Sequence, residues 1–303
     1  MGADRRPERV RVQAPAKVNL CLNVIGRRAD GYHLLDGLVA FAGIGDGIET
    51  APAARLGLEI AGPFAGALAG EPDNLVCRAA RGLAALAGRA PAVRIRLEKN
   101  LPVAAGIGGG SADAAATLRA LRALWGLEVG GADLDRLALS LGSDVPACLL
   151  GRPAFMSGIG EVLSAAPPLP ETHLVLANPG AALSSAAVFA RRAGPFARPA
   201  PRLGAAPRDA AALADWLRRS GNGLTEAACA LEPRIAGMLE RMAAAPDCLL
   251  ARMSGSGPTC FGLFASAGAA RRAAGRLAAE NAGWWVRAAP VLAEPPALER
   301  RAG

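Results

Sequence analysis

Between positions 101 and 111 the chain reads Leu-Pro-Val-Ala-Ala-Gly-Ile-Gly-Gly-Gly-Ser. A run this rich in glycine loses too much backbone entropy to sit inside a helix or a strand, so it must be a loop. Its flanks say what it connects. Before it, Val93, Ile95 and Leu97 alternate with Arg94, Arg96 and Glu98, the period of a half-buried strand, which Asn100 and Pro102 end. After it, Ser111 to Leu124 is rich in Ala and Leu and carries Asp113 near its start, which predicts a helix beginning at or near Ser111. Free N–H groups and the positive dipole end of that helix face back into the loop, and glycines let a ligand approach the backbone closely. Strand, glycine loop and helix together make an anion site. The loop lacks the Gly-Lys-Ser/Thr ending of a Walker loop, and Ser111 stands where a Gly-x-Gly-x-x-Gly dinucleotide fingerprint needs its last glycine.

Around this unit the chain predicts mixed structure. Val10 to Ile25 reads as two short strands joined by an irregular turn at Pro15. Pro72-Asp73-Asn74 is a start signal for a helix over Leu75 to Leu86, and Asp133 to Leu141 is a helix stopped by Gly142. The proline cluster in Ala165 to Pro170 predicts a boundary between domains at 1–166 and 167–303, and Gly194 to Arg208 a long surface loop. Helices near Asp209 to Arg219 and Glu232 to Ala244, a strand, turn and strand around Leu249 to Phe264, a helix from Ala269 to Asn281 and a strand at Trp284 to Ala288 complete the chain. Strands and helices alternate without βαβ repeats, so the fold class is α+β in two halves.

Composition narrows the function. The net charge of +8 invites nucleic-acid binding, but the arginines come as scattered doublets and aromatics are only 4%, which leaves few stacking platforms. The six cysteines form no Cys-x-x-Cys pair for zinc or thiol exchange and read as small buried hydrophobes. No window reaches the ~20 uninterrupted apolar residues of a membrane span, and Met1 to Arg6 leads into no signal-peptide core, so the expected location is cytoplasmic. Only Lys17 and Lys99 are lysines among 34 basic residues. A lysine retained in such a chain suits a reacting centre where a compact ammonium matters.

Strand, proline, Gly-Ile-Gly-Gly-Gly-Ser and alanine-rich helix together resemble the phosphate-binding loop of the GHMP kinase superfamily. The likeness extends to Ala14-Pro15-Ala16-Lys17-Val18-Asn19-Leu20 with Arg28-Ala29-Asp30-Gly31-Tyr32-His33, similar to an opening motif; to Leu141-Gly142-Ser143-Asp144-Val145-Pro146, similar to the segment with the catalytic aspartate; and to Met253-Ser254-Gly255-Ser256-Gly257-Pro258-Thr259, similar to the third motif, a turn abutting the phosphate loop. Most members place two serines after Gly-Leu-Gly. The triple glycine and then Ser111 resembles the branch acting on a cytidine-diphosphate-linked methylerythritol, and no magnesium ligand is assigned from it.

The resemblance implies a two-domain GHMP architecture, with a ribosomal protein S5 domain 2-like N-terminal half and a ferredoxin-like C-terminal half. It implies an ATP-dependent kinase, with Mg2+, that phosphorylates a hydroxyl of a small molecule and engages neither nucleic acid nor membrane; a homoserine or mevalonate kinase is the rival within the superfamily. Catalysis would fall to Lys17 and Asp144, although Asp144 alone, between a helix stop and Pro146, reads as an N-cap. ATP would lie against Pro102, Val103, Ala104, Ala105, Gly106, Ile107, Gly108, Gly109, Gly110, Ser111 and Ala112. The second substrate would meet Asn19, two residues along the strand from Lys17 and so on its face, together with Tyr32 and His33. Ser254 to Gly257 would support the loop. Asp73 and Asn74 are a helix cap first and a nucleotide-pocket edge second, Ser184 and Ser185 are weaker contacts, His173 has no role, and Lys99 is expected at the surface.

Overall fold

The computed structural model describes residues 9–70 and 73–301; Met1 to Arg6, and Pro72 of the helix start signal, lie outside them. Two long strands, β1 (Arg9–Arg27) and β2 (His33–Pro52), pair antiparallel from Val10 opposite Thr50 to Arg27 opposite His33. Segment 10–25 is therefore one strand and not two around a turn. Its register shifts at Pro15/Ala16, Asn19/Cys21 and Val24/Gly26. Pro15 has no N–H to give a ladder and is accommodated at the first of these irregularities. Opposite it, a Cβ on Gly45 would lie 2.0 Å from the Ala14 carbonyl oxygen, so only glycine lets the backbones meet there.

Strand β3 (Gly57–Ala61) and a 3₁₀ turn at Ala65–Leu68 precede α1 (Leu75–Leu86), which has the bounds its periodicity predicts. The Asn74 side chain caps it by accepting from the Val76 N–H. Strand β4 (Val93–Glu98) buries Val93, Ile95 and Leu97, as the alternation requires. Beyond the glycine loop come α2 (Gly109–Trp125), α3 (Gly131–Leu141), α4 (Val145–Leu150) and the hairpin of β5 (Ala154–Gly158) and β6 (Val162–Ala165). Helix α2 begins ahead of Ser111 because Gly108, at φ 62°, is already its N-cap and Gly109 and Gly110 form its first turn.

After the proline cluster, β7 (His173–Asn178) leads to α5 (Ser185–Arg191), α6 (Ala210–Leu217), α7 (Thr225–Leu231) and α8 (Arg234–Ala243). The hairpin of β8 (Leu250–Met253) and β9 (Cys260–Phe264), then α9 (Ala267–Glu280), β10 (Trp285–Leu292) and β11 (Glu299–Arg301), end the described chain. Helices α4, α5 and α7 escape the sequence reading because six or seven residues show too little of a 3.6-residue period.

The strands run β11-β1-β2-β10-β7-β9-β8, with β4 and β5 also on β2; among the described strands only β3 and β4 pair in parallel. Antiparallel pairing with helices packed against it is the α+β class expected. The chain's end returns to its beginning, since Val291 and Leu292 pair with β2 and β11 with β1.

Along β1, Ala16, Val18 and Leu20 are fully buried in a cluster with Ile107, Leu176, Leu213, Leu217 and Phe261. Lys17 and Asn19, between them, point to the other face. There α2 packs, and its alanines at 112, 114, 115, 116 and 120 leave so little bulk that the helix is buried on nearly every side, with Leu118 and Leu121 against Leu83, Ile95 and Leu97. The period of two in β1 and the small side chains of α2 thus bring a strand lysine up to a helix N-terminus.

Candidate active site

A cleft of about 1270 Å³ opens between β1, the glycine loop, the start of α4, helix α5 and the turn at Gly255 and Ser256. The loop takes its shape from left-handed backbone at Ala104, Gly106 and Gly108. At Gly106 a Cβ would fall 2.6 Å from the carbonyl oxygens of Ser254 and Gly257, so the carboxyl-terminal turn presses on the loop from behind. The Thr259 N–H donates to the Ala105 carbonyl at 3.2 Å, and the Ser254 hydroxyl accepts from the Asn19 N–H at 3.1 Å. Residues 102–106 and 108–111 line the cleft. Ile107 and Ala112 do not: both side chains turn into the core. They serve through the backbone, Ile107 accepting the Lys17 N–H at 3.0 Å and Ala112 donating to Gly108 at 2.8 Å.

Lys17 Nζ lies 2.6 Å from Asp144 Oδ1. The lysine side chain is 5% exposed and the aspartate 33%, so the pair sits at the cleft floor with the carboxylate toward solvent. Asp144 occupies the N-cap position of α4 yet makes no side-chain cap, which leaves its carboxylate to Lys17. Asn19 lines the same cleft and donates to the Met156 sulfur at 3.2 Å.

At the mouth, Tyr32 is 60% exposed and His33 stacks on Phe189, with ring centroids 5.1 Å apart and planes 22° apart. Burial, with the charges of Arg27 and Arg192, holds the His33 imidazole below its ordinary pKa and so neutral near pH 7. Ser184 and Ser185 also line the cleft, Ser185 within 2.7 Å of the Ser256 hydroxyl, as do Asp73 and Asn74. His173 lies in β7 opposite Pro290 and Phe264, away from the cleft.

Comparison with known proteins decides the family. Residues 74–152 match the GHMP kinases N terminal domain and residues 202–283 the GHMP kinases C terminal domain. A protein of Paramagnetospirillum magneticum named 4-diphosphocytidyl-2-C-methyl-D-erythritol kinase is 53% identical over 93% of this chain and 98% of its own. The chain belongs to the GHMP kinase family. A Rhodospirillum rubrum protein of the same name is 50% identical over 93% of this chain and 92% of its own. Among solved structures, a 4-(cytidine 5'-diphospho)-2C-methyl-D-erythritol kinase superposes with TM-score 0.74 at 38% identity, covering 93% of this chain and 98% of that one. A homoserine kinase from Cytophaga hutchinsonii superposes with TM-score 0.73 at 18% identity, covering 99% of both chains, a likeness of fold alone.

This GHMP kinase departs from its sequence reading at Lys99, which is 2% exposed and not a surface residue. Its ammonium donates to Asp46 Oδ2 at 2.5 Å and to Asp113 Oδ2 at 2.7 Å, while Asp46 Oδ1 accepts the N–H groups of Asn100 and Leu101 at 2.6 and 2.8 Å. The cluster thereby ties the entry of the glycine loop to the first turns of α2, with Lys99 Nζ 3.1 Å from where a Cβ on Gly109 would stand. Burial pushes the Asp113 carboxyl up to about 8; the Asp46 charge adds to this and Lys99 opposes it. Its Oδ1 is buried without a partner. Asp46, an acid between Gly45 and Gly47, was the available signal for this cluster. Phe189 had none, since its ring meets His33 only through the fold.

Proposed function

We propose that this chain transfers the γ-phosphoryl group of ATP to the 2-hydroxyl of 4-(cytidine 5'-diphospho)-2-C-methyl-D-erythritol, a step of non-mevalonate isoprenoid biosynthesis carried out in the cytosol. The observation that carries the reading is the Lys17–Asp144 pair, 2.6 Å apart, on a strand whose Lys17 N–H is bonded to the glycine loop. Phosphoryl transfer asks a protein mainly to position reactants and offset charge. The N–H groups of the first turn of α2 have no intrahelical partner and would hold the phosphates of ATP. The Lys17 ammonium would neutralise charge on the moving phosphoryl group and favour alkoxide character in the acceptor. Asp144 would accept the hydroxyl proton. Asn19 would orient the hydroxyl-bearing end of the acceptor, and Tyr32, His33 and Phe189 would take its base, a neutral imidazole offering one acceptor nitrogen to an exocyclic amine.

Magnesium is expected with ATP. Among the described residues no three His, Cys, Asp or Glu side chains gather into a cage. That donor set suits an ion that keeps its waters and arrives on phosphate oxygens. The Ser111 hydroxyl, on the first turn of α2 and lining the cleft, is the side-chain oxygen we assign to it. When bound, the ion would neutralise phosphate charge.

The test is ADP release by the purified enzyme with the cytidine-diphosphate-linked acceptor and with homoserine, side by side. Release with the first alone is expected. Equal or faster release with homoserine overturns the acceptor.

A further inference from the structure

At the mouth of the cleft stand two arginines whose charge no carboxylate of the described residues answers. Arg27 ends β1 and faces His33 across the β1–β2 register, and Arg192 follows α5 directly; both line the cleft. The acidic residue at this end, Asp30, is already ion-paired with Arg28 at 2.7 Å. Arg27 spends only its Nε, on the Gly31 carbonyl at 3.1 Å. Arg192 lies over the Phe196 ring, 4.8 Å from its centroid, and donates from Nη1 to Gly194 at 3.1 Å and from Nη2 to Pro195; its Nε is buried without an acceptor. Both charges reach His33, since both push its imidazole toward the neutral form. Two cations held beside a stacked aromatic pair, with donors to spare, fit an anion attached to a planar ring.

We propose that Arg27 and Arg192 bind the diphosphate of the acceptor, making this end of the cleft selective for a nucleoside diphosphate over the bare nucleoside. The inference rests on the acceptor proposed above. Arg27 is level with His33 in the β1–β2 register and Arg192 follows Phe189 by three residues, so both stand at the base end of the cleft, where the diphosphate joins the nucleoside. The guanidinium fork matches phosphate oxygens in a way an ammonium does not. Neither residue lies in the glycine loop or in the Lys17–Asp144 pair, so the nucleotide that donates phosphate has its own anion site.

The experiment is calorimetric titration of the full-length enzyme, saturated with ADP, with CDP and with cytidine. It compares the wild type, Arg27→Gln, Arg192→Gln and the double variant. The wild type is expected to prefer CDP by about tenfold or more, each single variant to lose several-fold in CDP affinity, and the double variant to bind both compounds about equally, the scale of one or two charge-assisted hydrogen bonds. Cytidine affinity held near the wild-type value shows that the base site is folded. A double variant that keeps the wild-type preference overturns the proposal, and so does parallel loss of both compounds. Turnover is measured alongside. A wild type that neither binds cytidine nor turns over the acceptor removes the acceptor assignment itself, whereas normal turnover with an unchanged CDP preference in the double variant removes only the two arginines.

Discussion

The Ser254 hydroxyl donates to the Gly106 carbonyl at 2.9 Å while its oxygen accepts the Asn19 N–H. One side chain, fully buried, thus joins the loop proposed to hold ATP to the strand that carries Lys17 and Asn19. The two substrates of a phosphoryl transfer must meet in line, and this contact fixes the relative height of the surfaces they would rest on.

Ser254→Ala removes both bonds and leaves the Asn19 N–H buried without an acceptor. A stability loss of about 1–3 kcal/mol is expected from that orphaned donor. Turnover should fall further than stability explains, because the loop and the strand lose their common anchor. Urea denaturation and kcat/KM measured on the same preparation check this, and Ser254→Thr, which keeps the hydroxyl, should recover most of both. A fully active alanine variant would show that the bridge is incidental.

For Lys17 and Asp144 the structure predicts equal kinetic but unequal structural costs. Either Lys17→Met or Asp144→Ala should slow turnover by at least ~100-fold, the scale for removing a base or a charge-stabilising group. Removing Lys17 leaves a carboxylate that water reaches, with little loss of stability. Removing Asp144 strands a buried ammonium, which should cost roughly 1–3 kcal/mol, less than in a fully dry pair because one partner is a third exposed. Thermal denaturation of the two variants decides; similar melting temperatures would argue against the buried setting of Lys17.

Gly108 bears on the proposed phosphate loop by two routes. Its φ of 62° costs a residue with a Cβ about 1–2 kcal/mol, and that Cβ would stand 3.2 Å from the Lys17 Cβ. Gly108→Val should therefore displace both the loop and Lys17, raising the KM for ATP by about tenfold or more and lowering kcat. An unchanged KM for ATP would count against the loop as the phosphate site.

The parts of this site legible in the sequence are those fixed by local rules. The alternation around Lys17 and Asn19, the glycines before α2 and the stop at Gly142 before Asp144 each follow from a few neighbouring residues. Helix α1 came out residue for residue for the same reason, its period running over three turns behind an Asx cap. What stayed hidden depends on contacts between distant segments. Lys99 looks like any strand-end lysine until β2 delivers Asp46 and α2 delivers Asp113, and Pro15 looks like a strand breaker until the bulge against Gly45 makes room for it. Phe189 sits on a helix too short to be seen and meets His33 only when the second half of the chain folds onto the first.

The Lys99 cluster makes a prediction in pH. The folded Asp113 carboxyl titrates at about 8, well above its ordinary 3.8, so the folded state binds a proton that the unfolded chain releases. Its contribution to stability is then complete below the unfolded value and is lost as pH rises toward the folded one, between about 4 and about 8. Asp113→Asn presents a carbonyl oxygen to Lys99 and cannot ionise. It should exceed the wild type only modestly near pH 5 and by much more near pH 8, so the difference between the two denaturation midpoints should open with rising pH. Lys99→Met does the opposite: it leaves Asp46 buried without its ammonium and should cost about 3–5 kcal/mol at neutral pH. Urea midpoints of the three proteins at pH 5 and pH 8 test both signs at once. A constant gap between Asp113→Asn and the wild type across that range would mean that Asp113 is ionised throughout, and that Lys99 answers two full charges beneath the glycine loop.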